Sequence, residues 1–132
     1  MKFISSYKKF ESQNITCDQF SSFDNPDTFN KRELDLIEEY SERNTWDYQL
    51  TDTLIEIFIH KSGVATDVDC DVTIEKQQDE YYLVEINTTN LQNMDKSETD
   101  FYLLDGYDEY KEFLDKLQYY SKHKTRLKLP KF

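Results

Sequence analysis

Between Asp67 and Glu75 the chain alternates without a break: Val68, Cys70, Val72 and Ile74 interleave with Asp67, Asp69, Asp71, Thr73 and Glu75. Successive side chains on a strand point to opposite faces, so this period of two predicts a half-buried strand with one dry face and one wet, acidic face. A helix would scatter the same residues around its circumference. The chain must therefore build a sheet that is covered on one side only.

The neighbouring segments supply the rest of that sheet. Leu54 to His60 is rich in β-branched and aromatic residues, with Ile55, Ile57 and Ile59 on one face and Gly63 marking the turn behind it. Gln77 to Glu80 reads as a polar hairpin turn, Tyr82, Val84 and Ile86 as the inward face of a third strand, and Phe101 to Leu104 as a fourth after a polar loop from Thr88 to Asp100. Asp24-Asn25-Pro26-Asp27 is turn chemistry, after which Asn30 and Glu33 have the spacing of a capping box. A helix over 31–43 follows, burying Leu36, Ile37 and Tyr40 and leaving Glu38, Glu39 and Glu42 to solvent.

Asp105-Gly106 closes the sheet, and Tyr107, Tyr110, Phe113, Leu114, Leu117 and Tyr120 form the broad apolar stripe of a final helix. Asp108, Glu109 and Glu112 lie at its start and Lys122, His123 and Lys124 at its end, which complements the helix dipole. Phe3, Tyr7 and Phe10 suggest a further short helix near residues 2–12, and Pro130 stops any continuation in the basic segment Thr125 to Phe132. The expected class is α+β: an antiparallel meander of about four strands packed against N-terminal helices and a C-terminal amphipathic helix, all in one domain over 1–132.

Charge is sorted along the chain. Residues 33 to 109 hold twenty-one Asp or Glu and four Lys or Arg, whereas the last 23 residues sum to +5. Such an excess raises a field that draws in basic partners and repels phosphate, so direct nucleic-acid binding is not expected. Nine Phe and ten Tyr provide the apolar surface that disordered acidic chains lack. Trp46 and Tyr48 are residue types enriched at interface hot spots. Met1 to Glu11 has no apolar run of signal-peptide length, and no window approaches the ~20 apolar residues of a membrane span, so a cytoplasmic address with no membrane partner is expected. Asn14 and Asn87 head glycosylation tripeptides that have no meaning there.

Asp67, Asp69 and Asp71 stand about 6.6 Å apart on an extended strand, at twice the rise per residue. The plainer reading of this spacing is an edge strand that uses charge to block edge-to-edge pairing. The sharper one is a DNA mimic: with Glu56, Glu75 and Glu85 on the same sheet, and Glu38, Glu39 and Glu42 on the nearby helix, the aspartates present a phosphate-like array to a basic groove. Calcium fits poorly, because Val72 stands where an EF-hand loop needs glycine.

Asp71, a polar turn and then Val84-Glu85-Ile86-Asn87 resembles the metal-binding hairpin of PD-(D/E)xK nucleases over some twenty residues. The resemblance implies Asp71 and Glu85 as magnesium ligands with Glu38 or Glu39 as a third, and departs from the motif where Asn87 replaces the usual lysine. Asparagine supplies no positive charge to a phosphoryl transition state. For nucleophilic catalysis only His60 and His123 exist, with no Gly-x-Ser-x-Gly, and two glycines cannot build a phosphate loop. Cys17 and Cys70 have neither metal-ligand nor disulfide-framework spacing, and Cys70 lies on the apolar face of its strand.

The expected function is that of a non-enzymatic inhibitor, without cofactor or metal, that occupies the basic surface of a nuclease or other nucleic-acid-binding protein. Phage anti-defence and toxin-immunity proteins share this physical description; for a phage product the address is the host cytoplasm. The rivals are a metal-dependent nuclease and a structural or assembly subunit.

Overall fold

The computed structural model describes residues 13–16, 26–63, 66–91 and 97–122. Elements follow in the order β1 (Gln13–Ile15), α1 (Lys31–Asn44), β2 (Asp47–Leu50), β3 (Leu54–Gly63), β4 (Thr66–Gln77), β5 (Tyr81–Asn90), β6 (Glu98–Asp105) and α2 (Tyr107–Lys122). The class is α+β, built on one antiparallel sheet in the order β1-β6-β5-β4-β3-β2. The four expected strands are present as β3 to β6. Two short ones, β1 and β2, extend the meander at its edges, and β5 and β6 run further into the expected loop, so the polar segment between them shrinks to 91–97. The expected helix over 2–12 and the basic tail lie outside the described residues, as do Cys17 and His123.

Local chemistry explains where the elements start and stop. Asn30 Oδ1 accepts the Glu33 amide at 2.9 Å and Glu33 Oε1 accepts the Asn30 amide at 2.7 Å, the expected capping box. α1 ends at Thr45, whose left-handed φ of 55° lets the Trp46 amide reach back to the Ser41 carbonyl at 2.9 Å. β4 turns into β5 through a short 3-10 turn, Gln78–Glu80, with Asp79 and Glu80 both left-handed at φ 63° and 59°.

Register then builds the core in rows. Ile55, Ile74, Val84 and Tyr102 align across four strands, as do Ile57, Val72 and Ile86 across three, and every one of these side chains is buried. Ile37 and Tyr40 of α1, with Tyr110, Phe113, Leu114, Leu117 and Tyr120 of α2, join the same cluster, so both helices cover that one face. The Tyr82 and Tyr110 rings stack at 4.6 Å across the sheet–helix boundary. Between the helices, Tyr40 donates to Asp115, and Asn44 Nδ2 donates to Gln118 Oε1 at 2.9 Å.

Candidate functional site: the acidic sheet face

The helices occupy the Val68–Ile74 side of β4, so the opposite parity faces away from them. That outward face carries Asp47 on β2, Glu56 on β3, Asp67, Asp69, Asp71 and Glu75 on β4, Glu85 on β5 and Asp105 on β6; toward β6 it turns apolar, with Leu83 buried and Phe101 and Leu103 beside it. Register places Asp47, Phe58, Asp71 and Asn87 in one cross-strand row and Gln49, Glu56, Thr73 and Glu85 in the next. No outward position of the described strands holds lysine or arginine. The lysines of β3 and β4, Lys61 and Lys76, both share the inward parity and are buried. Both described sheet lysines thus lie on the helix side and most of the strand carboxylates on the other, with Glu98 and Asp100 of β6 at inward-parity positions as the exceptions.

β4 is a central strand, paired along its length by β3 on one side and β5 on the other. The edge-guarding reading of Asp67, Asp69 and Asp71 is therefore corrected: the free edges belong to β1 and β2, and the aspartates lie two strands in from the nearer one.

Among the described residues, His60 is the one basic side chain at an outward position of the strands. Its Nδ1 lies 2.6 Å from Asp69 Oδ1, and its Nε2 lies 3.2 Å from Asp67 Oδ1, in ion-pair reach but without hydrogen-bond geometry. The hydrogen bond to Asp69, then the charges of Asp67 and Asp69, hold the imidazole above its ordinary pKa of 6.5. Asp71 is also raised from its ordinary 3.8, by partial desolvation and then by the like charges of Asp69 and Glu56. Burial is the first of these causes, and the like charges of Asp69 and Glu56 add to it. Among the described residues, no lysine or arginine pairs with any of Glu56, Asp67, Asp69, Asp71, Glu75 or Glu85.

The remaining acidic candidates are elsewhere. Glu38, Glu39 and Glu42 are exposed on α1, which covers the other side of the sheet, and Glu39 is paired with Arg43 at 2.8 Å. They do not extend the β-face array, and the nuclease resemblance loses Glu38 and Glu39 as a third ligand. Asp71 opposes Asn87 rather than Glu85, and Glu85 Oε2 accepts Asn87 Nδ2 at 2.8 Å while Asn87 Oδ1 accepts Thr99 Oγ1 at 2.6 Å. The described residues contain no group of three His, Cys, Asp or Glu placed to hold a metal ion. Cys70 is buried, and desolvation pushes its thiol up to about 12, far from a reactive thiolate.

Two features near the face escaped the sequence reading. Phe58, in the centre of the acidic rows, is 36% exposed. Beside it, where β2 stops and β3 runs on, a cleft of about 450 Å³ opens between Trp46, Phe58, His60 and Lys122, and the buried indole Nε1 of Trp46 has no hydrogen-bond partner. Among the described residues no helix is long and apolar enough to cross a membrane. Comparison with protein-family models, with curated proteins and with solved structures finds no match for this chain.

Proposed function

We propose that this protein is a non-enzymatic inhibitor whose acidic sheet face docks on the basic surface of a nuclease or other nucleic-acid-binding protein and excludes its nucleic acid, as a DNA mimic of the phage anti-defence or toxin-immunity kind. The observation that carries this reading is the bias of charge between the faces of the central strands: the six expected carboxylates and Asp47 take outward positions on β2 to β5, while Lys61 and Lys76, the lysines of the described strands, take inward ones. A groove that binds nucleic acid gains affinity by exchanging counterions for fixed anions, and it gains the same from carboxylates held on a rigid strand. Placement on a central strand supports a docking role, because the backbone of β4 is pinned on both sides and its carboxylates are fixed before any partner arrives.

The test immobilises the full chain, passes a cell extract over it and elutes with salt in the presence or absence of duplex DNA. The expected result is retention of nucleic-acid-binding proteins that DNA displaces, and loss of that retention in the folded triple variant Asp67→Asn, Asp69→Asn, Asp71→Asn. Unchanged retention by the triple variant contradicts the reading and favours a structural subunit. Magnesium-dependent cleavage of nucleic acid that Asp71→Ala abolishes favours the nuclease.

A further inference from the structure

Phe58 is the exposed centre of the acidic face. Its cross-strand partners are Asp47 on β2 and Asp71 on β4, and its same-face neighbours along β3 are Glu56 and His60. Facing side chains of adjacent strands stand about 5 Å apart at Cβ, so one aromatic ring has a carboxylate on either flank and a third along its own strand. The hydrogen-bond phase brings Asp71 closest: Lys76 donates to the Thr53 carbonyl at 3.2 Å, which makes Phe58 and Asp71 a non-hydrogen-bonded pair, the kind whose side chains approach most nearly.

Resting on the proposed docking function, we infer that Phe58, flanked by Asp47 and Asp71, is a seat for an arginine side chain of the basic partner. A guanidinium is flat and weakly hydrated: its face stacks on an aromatic ring while its edge N–H groups reach carboxylates on both sides. An ammonium is a compact, strongly hydrated point charge and satisfies one of these demands at a time. The chain itself uses the same contact elsewhere. Arg32 lies 3.7 Å over the Tyr107 ring and Arg43 lies 4.9 Å over Tyr40. Both described arginines are thus already seated, and the Phe58 ring has no cation over it among the described residues. Charge complementarity names the occupant: among the described residues the seat lies in a face with eight outward-parity carboxylates, Asp105 of β6 included, and one histidine, which an acidic or neutral segment would not enter.

The test titrates the isotope-labelled full chain with acetylated hexa-arginine and, separately, hexa-lysine at one ionic strength, following Phe58 ring protons and backbone amides. Hexa-arginine is expected to bind about fivefold more tightly than hexa-lysine and to shift the ring protons, the ratio a surface cation–π contact supplies. Phe58→Leu should lower hexa-arginine to the hexa-lysine affinity, leaving hexa-lysine unchanged; the double variant Asp47→Asn, Asp71→Asn, which leaves the ring in place, should also erase the preference. Equal binding of the two peptides overturns this inference alone, as does a preference that survives Phe58→Leu. A ring already shifted in the free protein and released by Arg126→Ala assigns the seat to the chain's own arginine and overturns it as well. Binding of neither peptide overturns both this inference and the docking function.

Discussion

Lys76 Nζ sits 2.7 Å from Glu33 Oε1 in a pair whose side chains are 7% and 2% exposed. The same carboxylate caps α1 through the Asn30 amide and accepts the Tyr82 hydroxyl, while the Glu33 carbonyl accepts the Tyr110 hydroxyl at 2.8 Å. One buried glutamate therefore ties α1 to β4, β5 and α2. Burial, then the hydrogen bond to Glu33, push the Tyr82 phenol well above the ordinary tyrosine value, so it stays a donor at any physiological pH.

Removing one partner of a buried ion pair leaves an uncompensated charge. Lys76→Met should destabilise the fold by about 3–5 kcal/mol, and the double variant Glu33→Gln, Lys76→Met should be clearly more stable than Lys76→Met alone. Denaturant midpoints check both. A single Lys76→Met variant with the wild-type midpoint would show that the pair contributes nothing.

His60 should titrate above 6.5 in the folded protein, and Asp69→Asn should move it back down. Its folded-state value is raised, so its contribution to stability is fully present below the unfolded value and disappears as pH rises through the folded one. Cation binding runs the other way, strengthening as the imidazole loses its charge. NMR titration of the imidazole in the two proteins measures the shift.

Asp71 has the opposite sign from the usual native carboxylate. Its raised value means the folded state favours the protonated form, so its contribution to stability falls as pH rises past its ordinary 3.8. Asp71→Asn should therefore raise the melting temperature at neutral pH by about 1–2 °C, within the range of surface substitutions, while weakening cation binding. A lower melting temperature would mean that Asp71 has a stabilising role in the fold.

Glu80 holds a left-handed φ of 59° in the β4–β5 turn, where a side chain is strained. Glu80→Gly should stabilise the protein by about 0.5–1 kcal/mol, the relief of that strain less the added freedom of the unfolded chain. Thermal melts of the two proteins decide it.

Much of this architecture is legible in the residues. The alternation from Val68 to Ile74 defines the two faces of β4, Asn30 and Glu33 announce the start of α1, and the apolar stripe of α2 is buried from Tyr110 to Tyr120, with Tyr107 at its start half-buried. β1 and β2 were not legible, because three or four residues show no period of their own. Parity could have found the buried lysines: Lys76 continues the series Val68 to Ile74, and Lys61 continues Ile55 to Ile59. Charge hid them, since a lysine is expected in water until its distant partner is known: Lys76 meets the Glu33 carboxylate, and Lys61 donates to the Tyr120 carbonyl. The side of the sheet that α1 covers is set by tertiary packing, so no period in the sequence separates Glu38, Glu39 and Glu42 from the β4 aspartates, which lie across the sheet from them.

A docking face gives a generic polycation one place to bind. Titrating the labelled protein with hexa-lysine at low salt and mapping the amide shifts should light up β3, β4 and β5 around Glu56, Asp69, Asp71 and Glu85, with α1 unmoved. Shifts spread evenly over both faces, or centred on Glu38, Glu39 and Glu42, would show that the acidity only keeps the protein dispersed and would contradict the docking face.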